Sequence, residues 1–490
     1  MAGQPKRVAV IGAGPAGAIA TDALVKEQAF ETIRVFDRRP VAGGTWVYTP
    51  HLPPAVPSLP KLLANEADEP VELPLRFPAE TPKSEAVNGH QSRYADTALH
   101  THLHSNIVPS IMSYSQEPFP DTLTDRLRDQ YGHQGPFRHH SVIRKWVEDI
   151  FVRGGHEKLL VLNTTVERAE KRGGEWVLTL RQEQPASNYW WQETFDALVV
   201  ATGHYNIPFF PEIQGLVAYN DRFPGRVIHS KHFRSADKFA GKKVIVVGGS
   251  VSAHEIVHEI LLVAHHPVYA SLRGPPIPVF GLTPFEHPHV QIKKEIIQFD
   301  AQSGHITFAD GSVLEDVDYV VFGTSYNFSI PFLPHVQDRI KRANRRLPGV
   351  YQHTFDIEDA SLAFVGFLGG GFTFRAYEYQ AVAVARRLAG RGNPLPSADE
   401  QRAWERQRVA ELGGGKSYYS IGPNYKQYLE FLRHVAGEPA PGTTGRVLQP
   451  FDDRWLDEWA KLPLTKIKRW KEVAEAARKE EAETVLKAKL

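Results

Sequence analysis

Three stretches of this chain carry residue types that can do chemistry. Gly12-Ala-Gly-Pro-Ala-Gly17 follows the apolar run Val8-Ala-Val-Ile11 and precedes Ala18-Ile-Ala-Thr-Asp-Ala-Leu-Val25. Gly248-Gly-Ser-Val-Ser-Ala253 follows Lys243-Val-Ile-Val-Val247, and Phe223-Pro-Gly-Arg-Val-Ile-His-Ser-Lys-His-Phe233 lies between the two. Strand, glycine turn and helix in that order make a cradle for a dinucleotide. Gly12 permits the tight turn, Gly14 lets backbone amides reach a pyrophosphate, Gly17 lets the helix pack closely, and Pro15 and Ala16 complete the turn. The diphosphate then sits at the positive end of the helix.

The strand after each cradle predicts which nucleotide it takes. Thr32-Ile-Arg-Val-Phe36 ends in Asp37 and Arg38. A carboxylate there accepts hydrogen bonds from ribose hydroxyls, so the first site is expected to hold an unphosphorylated adenosine ribose, as in FAD or NAD. The second fingerprint is degenerate, with Ser250 and Ala253 in glycine positions, but their small side chains still permit close approach, and Gly248 and Ser252 join them as candidate cofactor-binding residues. Its next strand, Pro267-Val-Tyr-Ala-Ser271, closes on Leu272-Arg273. A guanidinium at that place suits a 2′-phosphate and predicts NADPH over NADH; the alternative is a surface arginine in a turn. Two such sites in one chain point to electrons moving from a nicotinamide to a flavin.

The elements that must position these residues read as α/β, with two Rossmann-like dinucleotide-binding domains, the NADPH domain inserted in the FAD domain. Thr202-Gly-His-Tyr-Asn-Ile-Pro208 reads as the outward crossing and Asp318-Tyr-Val-Val-Phe-Gly-Thr-Ser-Tyr326 as the return. The expected domains are 1–205 (FAD, first part), 206–325 (NADPH) and 326–490 (FAD, second part, with a charged C-terminal helix). Residues 50–92 are proline-rich with little periodicity and are expected to form a long excursion without packed strands. His100, His102 and His104 alternate as strand residues do.

Composition excludes several classes. At 490 residues the chain can bury a large core. A formal charge of +1 implies neither nucleic acid nor an anionic membrane surface. There is no cysteine, which rules out electron transfer through a redox-active cysteine pair and leaves O2 as the natural acceptor. No secretory leader precedes the first strand, and no apolar run approaches the ~20 residues of a membrane span, so a cytoplasmic protein is expected. The terminal Ala488-Lys489-Leu490 resembles the peroxisomal S-K-L address and supplies an alternative location. His254-Glu-Ile-Val-His258 is a literal H-E-x-x-H, the zinc-protease motif. It is read here as part of the helix after the second fingerprint, with no metal, because no third ligand segment follows.

Taken together, these residues resemble the flavin-containing monooxygenase family, the class B flavin-dependent monooxygenases, over most of the chain and in a fungal-type form. The family signature F-x-G-x-x-x-H-x-x-x-[FY] is filled by Phe223, Gly225, His229 and Phe233. Phe233, where Baeyer–Villiger relatives typically carry tryptophan, favours the heteroatom-oxidising branch. Gly43-Gly44-Thr45-Trp46 is similar to the family's second FAD segment, and Leu103-His-Ser105-Asn106 to its threonine-asparagine pair beside the flavin. Phe364-Val-Gly366 and Glu378-Tyr-Gln380-Ala381 resemble its C-terminal return to the flavin ring. The resemblance also assigns Val166, Thr202 and Gly203 to cofactor binding, and His229 to a supporting role.

The chemistry implied is that NADPH reduces FAD, O2 adds to give a C4a-hydroperoxide, and a soft nitrogen or sulfur nucleophile takes the distal oxygen while NADP⁺ keeps water away. Asn106 is the candidate catalytic residue, holding peroxide and nicotinamide through its amide; the alternative is a turn residue bonded to its own backbone. Ketone oxygenation, or an uncoupled NADPH oxidase or redox-binding protein, is the competing function. The implied partners are a small-molecule substrate and O2, with a homodimer left open.

Overall fold

The computed structural model describes residues 4–51, 58–83, 94, 96–343 and 346–489. Two sheets organise it, the first mixed, with antiparallel pairs among its strands from 350–364, and the second parallel throughout. The first is built on β1 (Arg7–Ile11), followed by α1 (Pro15–Lys26), β2 (Thr32–Phe36) and β3 (Ala197–Val200). β1 lies between β2 and β3, pairing parallel with each. Leu160–Val161 and three strands from 350–364 complete its seven strands. Alternate residues of β1 enter different cores: Val8 and Val10 pack with α1, and Ala9 and Ile11 pack with Phe36, Leu198 and Val200. A strand buried on both faces must be apolar throughout, which is why it reads as an uninterrupted hydrophobic run.

The second sheet has five parallel strands, including β4 (Val244–Val247), joined through α2 (Val251–Ile260) to β5 (Val268–Leu272). Its other strands come from 227–229, 290–294 and 319–322, so the whole sheet is inserted between strands of the first. The two crossings read from the sequence lie side by side: Ile207 pairs with Asn327 and Pro208 with Tyr326, antiparallel.

A four-stranded antiparallel sheet (79–82, 187–195, 175–183, 164–172) covers the second face of the first sheet with Val166, Trp176, Leu178, Leu180 and Phe195. Here the expectation for residues 50–92 is corrected. Ala79–Pro82 is a strand paired with Ser187–Trp190, and Leu59–Leu63 is a short helix, because Leu59 and Leu62 have a core to enter. Residues 52–57 and 84–93 lie outside the described residues.

His100–His104 is not a strand. It is a turn held by one isolated bridge from His104 to His139, with His104 stacked on Phe137. Near the C-terminus, α3 (Thr373–Leu388) packs on α1, and α4 (Arg454–Lys489) runs across to the inserted sheet's helices. Leu490 lies outside the described residues. No helix among the described residues is long and apolar enough to cross a membrane.

Candidate cofactor and active site

The first glycine turn is fixed from two sides. Gly12 has φ +109°, a region β-carbons disfavour, and its N–H donates to the Phe36 carbonyl at 2.8 Å. Asp37 then reaches back: its Oδ2 accepts from Ala13 N–H at 2.7 Å and its Oδ1 from Arg39 N–H at 2.8 Å. A β-carbon on Gly17 would stand 1.8 Å from the Gly12 carbonyl oxygen, so the helix can leave the turn only through glycine. The second segment leans on the first. Gly43 N–H donates to the Ala13 carbonyl at 2.9 Å, and a β-carbon on Gly44 would approach Gly14 Cα to 2.6 Å.

These turns open onto a cavity of about 740 Å³. Gly12, Gly14, Pro15, Ala16, Asp37, Arg38, Gly44, Thr45 and Trp46 line it from the first sheet, and Asn106, Val166, Thr202 and Gly203 continue the wall. Ser250 and Ser252 bring the second fingerprint to the same space. Trp46 Nε1 and Thr202 Oγ1 are buried without a hydrogen-bond partner, which suits a bound group with polar edges. The glycine cradle, Asp37 and these two donors fit FAD.

Seven predicted residues do not line the cavity. Gly17, Gly248 and Ala253 shape the turns: Gly248 has φ +128°, and Ala253 fills the space beside Gly323. Ser105 Oγ accepts from Arg138 N–H at 3.0 Å and so fixes the loop that presents Asn106. His229 is fully buried, edge-on to Phe210 and Tyr326, and burial pushes its pKa down to about 3, so it serves as a neutral packing residue. Gln380 is spent one step behind the wall. Its Oε1 accepts from Gly366 N–H at 3.0 Å while its Nε2 donates to Thr354 Oγ1 and Tyr428 Oη. Gly366, positioned by it, does line the cavity. Arg273 directly follows β5, but it is exposed and off the lining.

The H-E-x-x-H residues divide. His258 stacks on Trp470 of α4 at 5.2 Å, and His254 meets Phe280, Phe285 and Trp470 edge-on. Among the described residues no group of three or more metal-ligating side chains could hold an ion. Glu255 instead faces the cavity and pairs with Lys466 at 2.9 Å. Burial pushes its carboxyl up, but Lys466, His104 and His100 outweigh that and hold it below the usual range. Stoichiometric zinc in purified protein, with activity lost to a chelator, would overturn this assignment; elemental analysis is expected to find none.

Other lining residues escaped the sequence reading. His204, stacked on Phe328 at 5.1 Å and held neutral by burial with a pKa of about 4, joins Tyr205, Tyr326 and Tyr377 in the cavity wall. Trp459, Leu462 and Pro463 arrive from α4. The triple glycine at 369–371 and the proline inside a helix were the available signals.

Comparison with known proteins places this geometry. The family model for flavin-binding monooxygenase-like proteins matches residues 90–277 and 286–440. Flavin-containing monooxygenase ustF2 of Aspergillus flavus is 25% identical over 502 residues, spanning 93% of this chain and 96% of its own. The Arabidopsis thaliana protein FMO GS-OX-like 9 is 30% identical over 474 residues, spanning 92% and 93%. Among solved structures, S-allyl-L-cysteine S-oxygenase from Allium sativum shares the fold at TM-score 0.71 and 22% identity, over 98% of this chain and 100% of that one. Tmm from Pelagibacter sp. does so at TM-score 0.65 and 21% identity, over 89% and 87%. With both fingerprints opening on one cavity and a family match across most of its length, the chain belongs to the flavin-binding monooxygenase-like family and is a flavin-dependent monooxygenase.

Proposed function

We propose that this enzyme binds FAD, takes its electrons from NADPH and transfers one atom of O2 to a soft nitrogen or sulfur nucleophile. The observation that carries this reading is the shared cavity. The turn at Gly12–Gly17 and the turn at Ser250–Ser252 open on the same space, so two dinucleotides can meet in it. The reaction balances as substrate, NADPH, H⁺ and O2 giving oxygenated substrate, NADP⁺ and water. When bound, the flavin supplies hydride acceptance and O2 activation.

The protein's own residues do the rest. The glycine turns and the N-terminal amides of α1 and α2 hold the diphosphates. Asp37, already fixed by two backbone amides, keeps acceptor capacity for a ribose. Asn106 offers an amide, and the aromatic residues of the wall exclude water. Phe233, buried against Phe239 and His100, supports the heteroatom branch through its place in the family signature.

The test is direct. Anaerobic NADPH should bleach the bound flavin, and readmitted O2 with a tertiary amine or thioether should return about one oxide per NADPH. Electrons ending wholly in hydrogen peroxide across a broad substrate panel would overturn the reading.

Coenzyme preference has its own test. Arg273 has no hydrogen-bond or ion-pair partner among the described residues, so its guanidinium is available to a 2′-phosphate as NADPH docks. Arg273→Ala is expected to raise KM for NADPH about tenfold, the loss of one charge-assisted contact, and to leave NADH nearly unchanged. Equal losses for both coenzymes would remove Arg273 from the 2′-phosphate site.

A further inference from the structure

α4 begins against the flavin-side sheet and ends against the inserted one. At its start, Trp459 packs on Phe372 and Tyr425, and a β-carbon on Gly371 would come within 3.0 Å of the Trp459 ring. Farther along, Lys466 pairs with Glu255 of α2, and Trp470 stacks on His258 and meets Phe280. Arg478 then donates to the Glu286 carbonyl at 2.9 Å, and Glu481 pairs with His289 at the same distance. From residue 459 to residue 470 a helix rises roughly 16 Å, so one continuous element spans both sides of the cavity.

Between these anchors, Leu462 and Pro463 are buried and line the cavity, with Trp459 beside them. Pro463 lacks the N–H that would bond to the Trp459 carbonyl, so the helix is weakest as a continuous ladder where it faces the cavity. The lining differs in kind from the cofactor cradle. Diphosphates and riboses need amides and a carboxylate, which the turns at Gly12 and Asp37 supply; Trp459, Leu462 and Pro463, with Phe374 and Phe280, offer apolar surface. Apolar lining of this kind, in a cavity onto which two nucleotide cradles open, suits the non-reacting substituent of a substrate.

We propose that Trp459, Leu462 and Pro463 are specificity-determining residues: they form the wall that limits the size of the apolar group a substrate carries beside its nucleophilic atom. Lys466 and Trp470 act as positioning residues that pin this wall to α2. The proposal deepens the oxygenation reading and rests on it for the identity of the reacting atom.

A homologous series of n-alkyl methyl sulfides tests it in the full-length holoenzyme. Leu462→Ala should shift the optimum of kcat/KM to longer chains, with at least a fivefold gain for the longest members relative to the shortest. Leu462→Phe should shift it the other way by a similar factor. In both, KM for NADPH and flavin content should stay near wild type, which a general packing defect would not allow. Lys466→Met should broaden the chain-length profile, since the wall loses its pin. Ligand-induced Tm shifts with the same sulfides report the wall without catalysis. Profiles parallel to wild type in both readouts would overturn the proposal. A wild type that binds the series with a sharp length limit yet oxygenates none of it would overturn the oxygenation reading and leave the wall supported.

Discussion

Gly14→Leu should give a folded but colourless protein. The Gly14 backbone is extended at φ −81°, so a side chain is tolerated there conformationally, and a β-carbon would meet only Gly44 Cα at 3.2 Å. The atoms beyond it have nowhere to go except the cavity that Gly14 lines. They would occupy the approach path of the pyrophosphate and block its charge-assisted bonds to backbone amides, each worth about 1.5–3 kcal/mol. With overpacking of about 1–3 kcal/mol added, FAD affinity should fall at least ~100-fold. Gly14→Ala should be mild. Gly17→Ala should instead damage folding, because its β-carbon would sit 1.8 Å from the Gly12 carbonyl oxygen. The ratio of flavin to protein absorbance, read beside far-UV circular dichroism, separates these outcomes. A yellow Gly14→Leu enzyme would place the flavin elsewhere.

Asn106→Ala should uncouple the enzyme without emptying it. The loop that carries Asn106 is tied independently of its side chain: Ser105 N–H donates to the Arg138 carbonyl at 2.8 Å, and His140 N–H to the Leu103 carbonyl at 3.1 Å. The Asn106 amide makes no hydrogen bond among the described residues and lines the cavity, which argues against its being a turn residue bonded to its own backbone. Losing one positioned donor costs on the order of a hundredfold to a thousandfold where water is excluded, and less at a residue as exposed as Asn106. FAD content and reduction by NADPH should therefore persist, while oxygenated product per NADPH falls about tenfold and hydrogen peroxide makes up the difference. Wild-type product yield would remove Asn106 from the reaction.

The parts of this protein legible in its sequence are those whose physics is local. A glycine turn, the strand before it, the helix after it and the next strand's end are close in sequence, so Gly12, Gly14 and Asp37 declare themselves, and strands buried on both faces read as unbroken apolar runs. What stayed hidden depends on pairing across long separations. Ala79–Pro82 becomes a strand only because Ser187–Trp190 lies beside it. His100 and His104 alternate as strand residues do, yet Phe233 and Phe137 capture their rings and leave a turn. Gln380 looks like a ligand of the cofactor until Gly366, Thr354 and Tyr428 are seen to use up its amide. The contribution of α4 was least visible, since Lys466 reaches Glu255, 211 positions earlier, and nothing in a charged, lysine-rich tail announces a cavity wall.

The ladder joining Ile207 to Asn327 and Pro208 to Tyr326 also brings the entrance and exit of the inserted sheet to one place. Its entrance and exit are hydrogen-bonded neighbours, so the segment 209–325 leaves the first sheet through a doorway one strand-pair wide. A two-residue hairpin turn closes a doorway of that width. Excision of the segment would then leave the seven-stranded sheet with every strand in its original order. The remaining cost would fall on α4, whose Trp470 would lose His258 and Phe280, on Leu59 and Leu62, which pack into the inserted core, and on the 97–99 backbone, whose carbonyls would lose Arg234. A trimmed flavin half would therefore need a shortened tail and new cover for Leu59 and Leu62 as well as a new turn.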